Sequence, residues 1–128
     1  MQIEINNTIK IDHETEVIHE VRDCQVTTKA NSIYIVYHND EKQRVVLKIK
    51  DDELIMTRYS DPKSIMRFHK GSPALISIPT PMGIQHLITD TCLFEQKPEQ
   101  NLVKVDYQLK QAETGQLFAD YQLEIKWY

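Results

Sequence analysis

The chain has 128 residues, of which 41% are hydrophobic and 27% are charged, and its formal net charge is −4. This composition is typical of one globular domain and excludes a disordered chain. The mild negative charge disfavours nucleic acid as a partner, because phosphate backbones select basic surfaces. The longest apolar runs have four or five residues, such as 33–37, whereas a membrane-spanning helix needs roughly 18.

The N-terminal segment carries the whole acidic excess. Residues 1–23 contain six acidic side chains and two basic ones. The first residues show no basic region followed by an apolar stretch, so no signal peptide is visible and we expect a cytoplasmic protein. In that compartment the two cysteines, Cys24 and Cys92, are expected to be free thiols.

Alternation of apolar and polar residues dominates the rest of the chain. A period of two puts each apolar set on one face of a β-strand, whereas a helix would scatter it around its circumference. The pattern therefore predicts strands. The sets in chain order are Ile3, Ile5, Ile9 and Ile11; Val45, Leu47 and Ile49; Leu54, Met56 and Arg58; Met66 and Phe68; Ile76 and Ile78; Val103, Val105, Tyr107 and Leu109; and Leu117, Ala119, Tyr121, Leu123, Ile125 and Trp127.

One segment is ambiguous. In residues 14–25, Val17, Val21 and Cys24 also fit the spacing of one helix face. Both a strand and a short helix remain open there.

Turn-forming residues separate the alternating sets, and all five prolines lie in or beside such breaks. The spacing predicts about ten strands with short connections, which favours an all-β antiparallel meander in one domain, residues 1–128. Closing such a sheet removes its aggregation-prone edges. We therefore predict a single antiparallel up-and-down β-barrel of about 8–10 strands, with a β-sandwich as the alternative.

A set of short motifs resembles a known family. The matching residues are Arg58, Met66-x-Phe68-x-x-Gly71, Thr80-Pro81-x-Gly83, Thr91 and Tyr107-x-Leu109. In their order and spacing they are similar to the YwiB-like family of small Gram-positive bacterial proteins. The resemblance implies a calycin-like barrel, related in shape to lipocalins and fatty-acid-binding proteins, and it implies no activity. Family members often have glycine where this chain has Ser60, a departure that bears on the local turn.

Arg58 continues the alternation of Leu54 and Met56, so it is expected to point into the barrel. A buried guanidinium must be paired, because an isolated charge is very costly in a core. It could hold a carboxylate or phosphate of a ligand. Alternatively it pairs with Asp90 or Glu53, or extends to the mouth of the barrel.

Hydroxyl groups also fall on the predicted inner face. They could orient a ligand in an apolar pocket, or they could satisfy one another and the backbone in a filled core. The candidate ligand-binding residues, beside Arg58, are Thr80, Thr89, Thr91, Tyr107 and Tyr121.

Signatures of catalysis and of metal binding are missing from the sequence. The five histidines and two cysteines show no zinc-site spacing, so we predict no metal or cofactor. Nucleophile elbows, phosphate loops and dinucleotide motifs are absent, and we predict that the protein is not an enzyme.

Two functional hypotheses follow. The first is a binding protein that takes a small, hydrophobic or anionic ligand into the barrel, and it predicts a cavity of at least about 300 Å³ opening near Arg58. The second is a protein-interaction or regulatory module with a filled barrel. It is motivated by Glu14, Glu16 and Glu20 and by the aromatic end Trp127-Tyr128.

Overall fold

A computed structural model describes residues 1–128. Most of the chain lies in ten β-strands, and the one helical element is a 3₁₀ turn, Pro98–Gln100, between β8 and β9. The strands are β1 (Gln2–Ile11), β2 (Glu14–Lys29), β3 (Ser32–His38), β4 (Arg44–Ile49), β5 (Glu53–Tyr59), β6 (Ser64–His69), β7 (Ala74–Thr80), β8 (Gly83–Lys97), β9 (Leu102–Gln111) and β10 (Leu117–Trp127).

All ten strands form one antiparallel sheet in the order β6-β5-β4-β3-β2-β1-β10-β9-β8-β7. Each strand pairs with its neighbour in sequence, and β1 pairs with β10 to join the two ends of the chain. The two outer strands, β6 and β7, contact each other without forming a ladder. The sheet is therefore a nearly closed barrel, which confirms the predicted all-β up-and-down architecture.

The inner face of the barrel carries most of the residues that the alternation predicted, whereas Ile11 and Leu117, at the ends of their strands, are exposed. Its fully buried side chains include Ile3, Ile35, Leu47, Phe68 and Ile125. Burying a side chain of this size stabilises the fold by about 1.5–3 kcal/mol. These residues form one cluster, so the barrel has a single hydrophobic core.

Residues 14–25 belong to β2, so the helical alternative for this segment is wrong. The first part of β2 pairs with β1 from Gln2↔Asp23 to Ile11↔Glu14. The second part pairs with β3 from Cys24↔Tyr37 to Lys29↔Ser32. Two ladders in succession fix the extended conformation, and this long-range pairing overrides the local helical spacing.

A β-bulge interrupts β8. Thr91 lies opposite Tyr107, and the register then shifts so that Phe94 lies opposite Val105. An extra residue in one strand moves the following side chains to the other face. Leu87 precedes the bulge and Phe94 follows it. Both are therefore buried, although strict alternation would put an odd-numbered and an even-numbered residue on opposite faces.

Cys24 is buried and Cys92 is exposed, and both are free, as predicted. Burial raises the pKa of the Cys24 thiol. None of the helical structure is long and apolar enough to span a membrane.

Candidate functional site

One row of inward-facing positions crosses five neighbouring strands. Cys24 of β2 lies opposite Tyr37 of β3, and Tyr37 lies opposite Val45 of β4. Val45 lies opposite Arg58 of β5, and Arg58 lies opposite Ser64 of β6. Since directly opposite residues on one face have neighbouring side chains, this row brings three polar groups together.

The next row towards the core is apolar, with Leu47, Met56 and Met66 as successive cross-strand partners. Between the two rows lies a cavity of about 360 Å³. Its lining consists of Glu20, Tyr37, Asn39, Asp40, Val45, Met56, Arg58, Ser64, Met66 and Ile78. A cavity of the predicted size therefore opens beside Arg58.

Arg58 lies at the rim of this cavity, and its side chain is exposed. The expectation of a guanidinium inside the barrel is thus corrected: the residue faces inward, but at the open end. The internal partners considered for it are engaged elsewhere, because Asp90 accepts a 2.9 Å bond from Lys110 and Glu53 lies 3.9 Å from His69. Arg58 itself makes no ion pair within the protein.

Two largely buried residues with hydroxyl groups accompany Arg58. Tyr37 is 6% exposed and Ser64 is 7% exposed, and neither hydroxyl is bonded to another group of the protein. Burial, and the nearby Glu20 carboxylate, raise the pKa of Tyr37, against the smaller opposite effects of Arg22 and Arg58. The Tyr37 hydroxyl therefore stays protonated and is a hydrogen-bond donor at neutral pH.

Two acidic residues line the other side of the cavity. The Glu20 carboxylate accepts a 3.2 Å hydrogen bond from Nε of Arg22. Asp40 is exposed in the turn between β3 and β4 and makes no ion pair. The cavity thus has a side rich in donors, at Arg58, and an acidic side.

The structure places the other predicted ligand residues away from the cavity at Arg58. The Thr80 hydroxyl donates to the Gly83 carbonyl at 2.6 Å and closes the turn between β7 and β8. Thr89 is fully buried, and its hydroxyl donates to the Arg67 carbonyl of β6. That bond links β8 to β6 across the part of the barrel that has no ladder.

Thr91, Tyr107 and Tyr121 form a second group, successive across β8, β9 and β10. The Tyr107 and Tyr121 rings stack in parallel with centroids 4.6 Å apart, and Phe68 packs on Tyr107 at 4.5 Å. The Thr91 hydroxyl is buried and makes no hydrogen bond within the protein. Burial raises the pKa of both tyrosines. Tyr107 and Tyr121 line a separate depression of about 320 Å³ that includes Lys10 and Cys92.

Sequence reasoning missed Tyr37 and Ser64 as members of the site. Tyr37 lies in the continuous apolar run 33–37, where alternation does not separate the two faces. Ser64 directly follows a turn. The signal that could have found them is the hairpin register, because three short turns place both residues in the row of Arg58.

No group of three or more His, Cys, Asp or Glu side chains is arranged to hold a metal ion.

Comparison with known proteins identifies the family. A family described as a domain of unknown function, DUF1934, matches residues 3–125. The chain belongs to the DUF1934 family. The crystal structure of the ywiB protein from Bacillus subtilis superimposes with a TM-score of 0.74 at 16% identity, covering 98% of this chain and 89% of that chain. At this identity the likeness shows the shared barrel fold, and it confirms the resemblance to the YwiB-like family. No curated protein matches the chain.

Proposed function

We propose that this member of the DUF1934 family is a non-enzymatic cytoplasmic binding protein that holds a small, partly apolar anion in the cavity beside Arg58. One observation carries the proposal. Three hydrogen-bond donors, on Arg58, Tyr37 and Ser64, line one cavity without partners in the protein, and half of the residues that line this cavity are hydrophobic.

The donors favour an anionic group. A guanidinium binds a carboxylate or phosphate through two parallel hydrogen bonds. Ser64 is the cross-strand neighbour of Arg58, and the protonated Tyr37 hydroxyl adds a further donor. All three groups donate, which suits binding of an anion, whereas nucleophilic catalysis requires an acceptor bonded to the nucleophile.

The deeper wall favours an apolar tail. Val45, Met56, Met66 and Ile78 supply the hydrophobic part of the lining. Methionine side chains are flexible and polarizable, so they adapt to tails of different shape. A volume of about 360 Å³ is at the lower end of the range for small-molecule sites, which is about 300–1,000 Å³. The ligand is therefore a compact molecule.

The acidic side gives the ligand a direction. Asp40 repels an anionic head, whereas Arg58 on the opposite side attracts it. We therefore place the head at Arg58 and Ser64, with the tail directed towards Met56 and Met66.

Isothermal titration calorimetry with three probes tests the proposal. Octanoate carries a head and a tail, octylamine carries the same tail with a cationic head, and acetate carries a head without the tail. We expect the protein to bind octanoate and to bind octylamine and acetate much more weakly.

Two variants locate the binding. Arg58→Gln is expected to weaken octanoate binding about tenfold, since a charge-assisted hydrogen bond contributes about 1.5 kcal/mol or more. Asp40→Asn is expected to strengthen it by removing the repulsion. Arg67→Gln is the matched control, because Arg67 lies on the same pair of strands but outside this cavity. Equal binding by wild type and Arg58→Gln, or no octanoate binding by wild type, would refute the proposal.

The alternative is a protein-interaction module. Part of its motivation is lost, because Trp127 is 3% exposed and packs in the core. Its other motivation, the acidic residues Glu14, Glu16 and Glu20, lies on β2.

A further inference from the structure

The first half of β2, Glu14–Asp23, is an unpaired sheet edge. It forms a ladder with β1 on one side. The ladder between β2 and β3 begins only at Cys24, so the other side of residues 14–23 has no neighbouring strand. An edge of this length presents free backbone groups to any second strand that approaches it. We call residues 14–23 the free β2 edge.

Exposed apolar side chains lie on the free β2 edge. Val17 is 62% exposed, Ile18 is 45% exposed and Val21 is 39% exposed. Natural edge strands are commonly protected by prolines, bulges, short length or charged side chains. Residues 14 to 23 contain no proline and no bulge, and their charges are of both signs, so they can pair with complementary charges of a second strand. The edge thus has the character of a pairing surface.

The hydrogen bonds of β1 show which residues of the edge are available. Gln2 and Tyr128 bond each other reciprocally, at 2.7 Å and 3.0 Å, so Gln2 directs both of its backbone groups towards the last strand. Backbone direction alternates along a strand, and the odd residues of β1 therefore bond β2. The partners of those odd residues are the even residues of β2, from Glu14 to Arg22. The odd residues Thr15, Val17, His19 and Val21 then direct their N–H and C=O groups outward.

We propose that the free β2 edge pairs with the free β2 edge of a second copy of this chain, antiparallel and centred on His19. A two-fold axis perpendicular to the sheet places residues whose numbers sum to 38 opposite each other. In this register Val17 meets Val21, and His19 meets its own counterpart, through outward-directed backbone groups. The seven residues 16–22 of each copy take part, which leaves Cys24 to its ladder with β3.

Charge complementarity selects this register. It places Glu16 opposite Arg22 twice, once on each side of the axis, in pairs whose side chains approach most closely. A shift that makes the numbers sum to 36 places Glu16 opposite Glu20 twice. A shift to a sum of 40 places Glu20 opposite its own counterpart. Like charges directly opposite are destabilising, and of these three registers only the one centred on His19 avoids them. A sum of 42 pairs Glu20 with Arg22, but only residues 19–23 could then take part, because Cys24 pairs with β3.

Arg22 already donates to Glu20 of its own strand at 3.2 Å. In the dimer it lies between that carboxylate and Glu16 of the other copy. The acidic charge of the segment is thereby partly neutralised, and the ten-stranded sheets of the two barrels become continuous. Because the contact is short, the dimer dissociates on dilution.

Sedimentation equilibrium tests the dimer with a matched pair of variants. Val17→Pro removes an outward N–H that the ladder with β1 does not use, so the barrel still forms while the dimer contact is lost. Val17→Thr keeps the N–H and the strand preference. We expect at least about a tenfold weaker dimer for Val17→Pro and little change for Val17→Thr.

A charge exchange tests the register. Glu16→Arg alone and Arg22→Glu alone each place like charges opposite each other, and both are expected to weaken the dimer. The double variant Glu16→Arg, Arg22→Glu restores opposite pairs and is expected to recover much of the loss. Far-ultraviolet circular dichroism of each variant confirms that the barrel is intact.

Two results would overturn the inference. One is a wild-type chain that stays monomeric up to about 1 mM, a concentration at which even weak specific contacts are populated. The other is a dimer that survives Val17→Pro and ignores the charge exchange. Neither result bears on ligand binding at Arg58, which is measured separately.

Discussion

The position of Arg58 along β5 decides whether its charge is tolerated. Leu54, Met56 and Arg58 all lie on the inner face of this strand, at different depths in the barrel. Leu54 is fully buried near one end, whereas Arg58 is exposed near the other. The charge is therefore tolerated because it stays in contact with water.

The buried tyrosines make the free energy of unfolding depend on pH in the alkaline range. The pKa values of Tyr37 and Tyr107 are raised above the usual 10.0, mainly by burial. Above about pH 10 the unfolded chain loses these protons while the folded chain keeps them, so the free energy of unfolding falls as pH rises. The expected slope is about 1.4 kcal/mol per pH unit for each of the two residues.

Urea unfolding measured between pH 9 and about pH 11.5 checks this expectation. Tyr37→Phe and Tyr107→Phe are each expected to make the decline with pH less steep, because phenylalanine has no proton to lose. If the free energy of unfolding declined as steeply with pH in both variants as in the wild type, groups other than these two tyrosines would be its cause.

The elements differ in how well the sequence predicted them. Strands β1, β4, β9 and β10 alternate clearly because one face is buried and the other is wet. The first half of β2 is exposed on both faces, so it has no reason to alternate, and its sequence fits a helix equally well. Only the pairing with β1, a contact between distant residues, decides the matter.

The bulge in β8 is a second feature that could not be predicted from the sequence. It lets Thr89, Thr91 and Phe94 all face inward, although strict alternation would separate the last from the first two. The predicted ligand residues on β8 were therefore on the correct face. They lie outside the cavity at Arg58. The local sequence pattern could not predict this, because it does not show which part of the barrel is filled by side chains.

Thr89 and Thr91 provide a matched test of the seam, which is the contact of β6 with β7 and β8 where no ladder forms. Thr89→Val removes the hydroxyl that donates to the Arg67 carbonyl and leaves that carbonyl without its partner. We expect a loss of about 1–3 kcal/mol in the free energy of unfolding. Thr91→Val removes a buried hydroxyl that makes no bond, and it is expected to be neutral or stabilising.

Urea unfolding of the two variants gives the comparison, and hydrogen exchange of the β6 and β7 amides shows whether the seam opens. Thr89→Ser, which keeps the donor, is expected to recover part of the loss. Equal stability of Thr89→Val and wild type would mean that the seam does not depend on this bond.

At the scale of the whole molecule the barrel is divided along its length. One end is filled around the fully buried cross-strand neighbours Ile49, Leu54 and Phe68. The other end contains the cavity beside Arg58. A filled end fixes the positions of the strands, and the strands in turn hold the donors of the open end in one place.

The four methionines allow a direct test of ligand binding in the cavity. Met56 and Met66 line it, whereas Met1 and Met82 are 59% and 98% exposed and lie outside it. A chain labelled with carbon-13 at the methionine methyl groups therefore has two probes inside the cavity and two controls, which leucine substitutions assign.

Titration of this labelled chain with octanoate, followed by nuclear magnetic resonance, tests the central claim most directly. We predict that the Met56 and Met66 methyl signals shift in a saturable manner while those of Met1 and Met82 stay in place, and that Arg58→Gln weakens the response. Unchanged Met56 and Met66 signals at saturating octanoate, or equal shifts of all four methyl groups, would contradict the account.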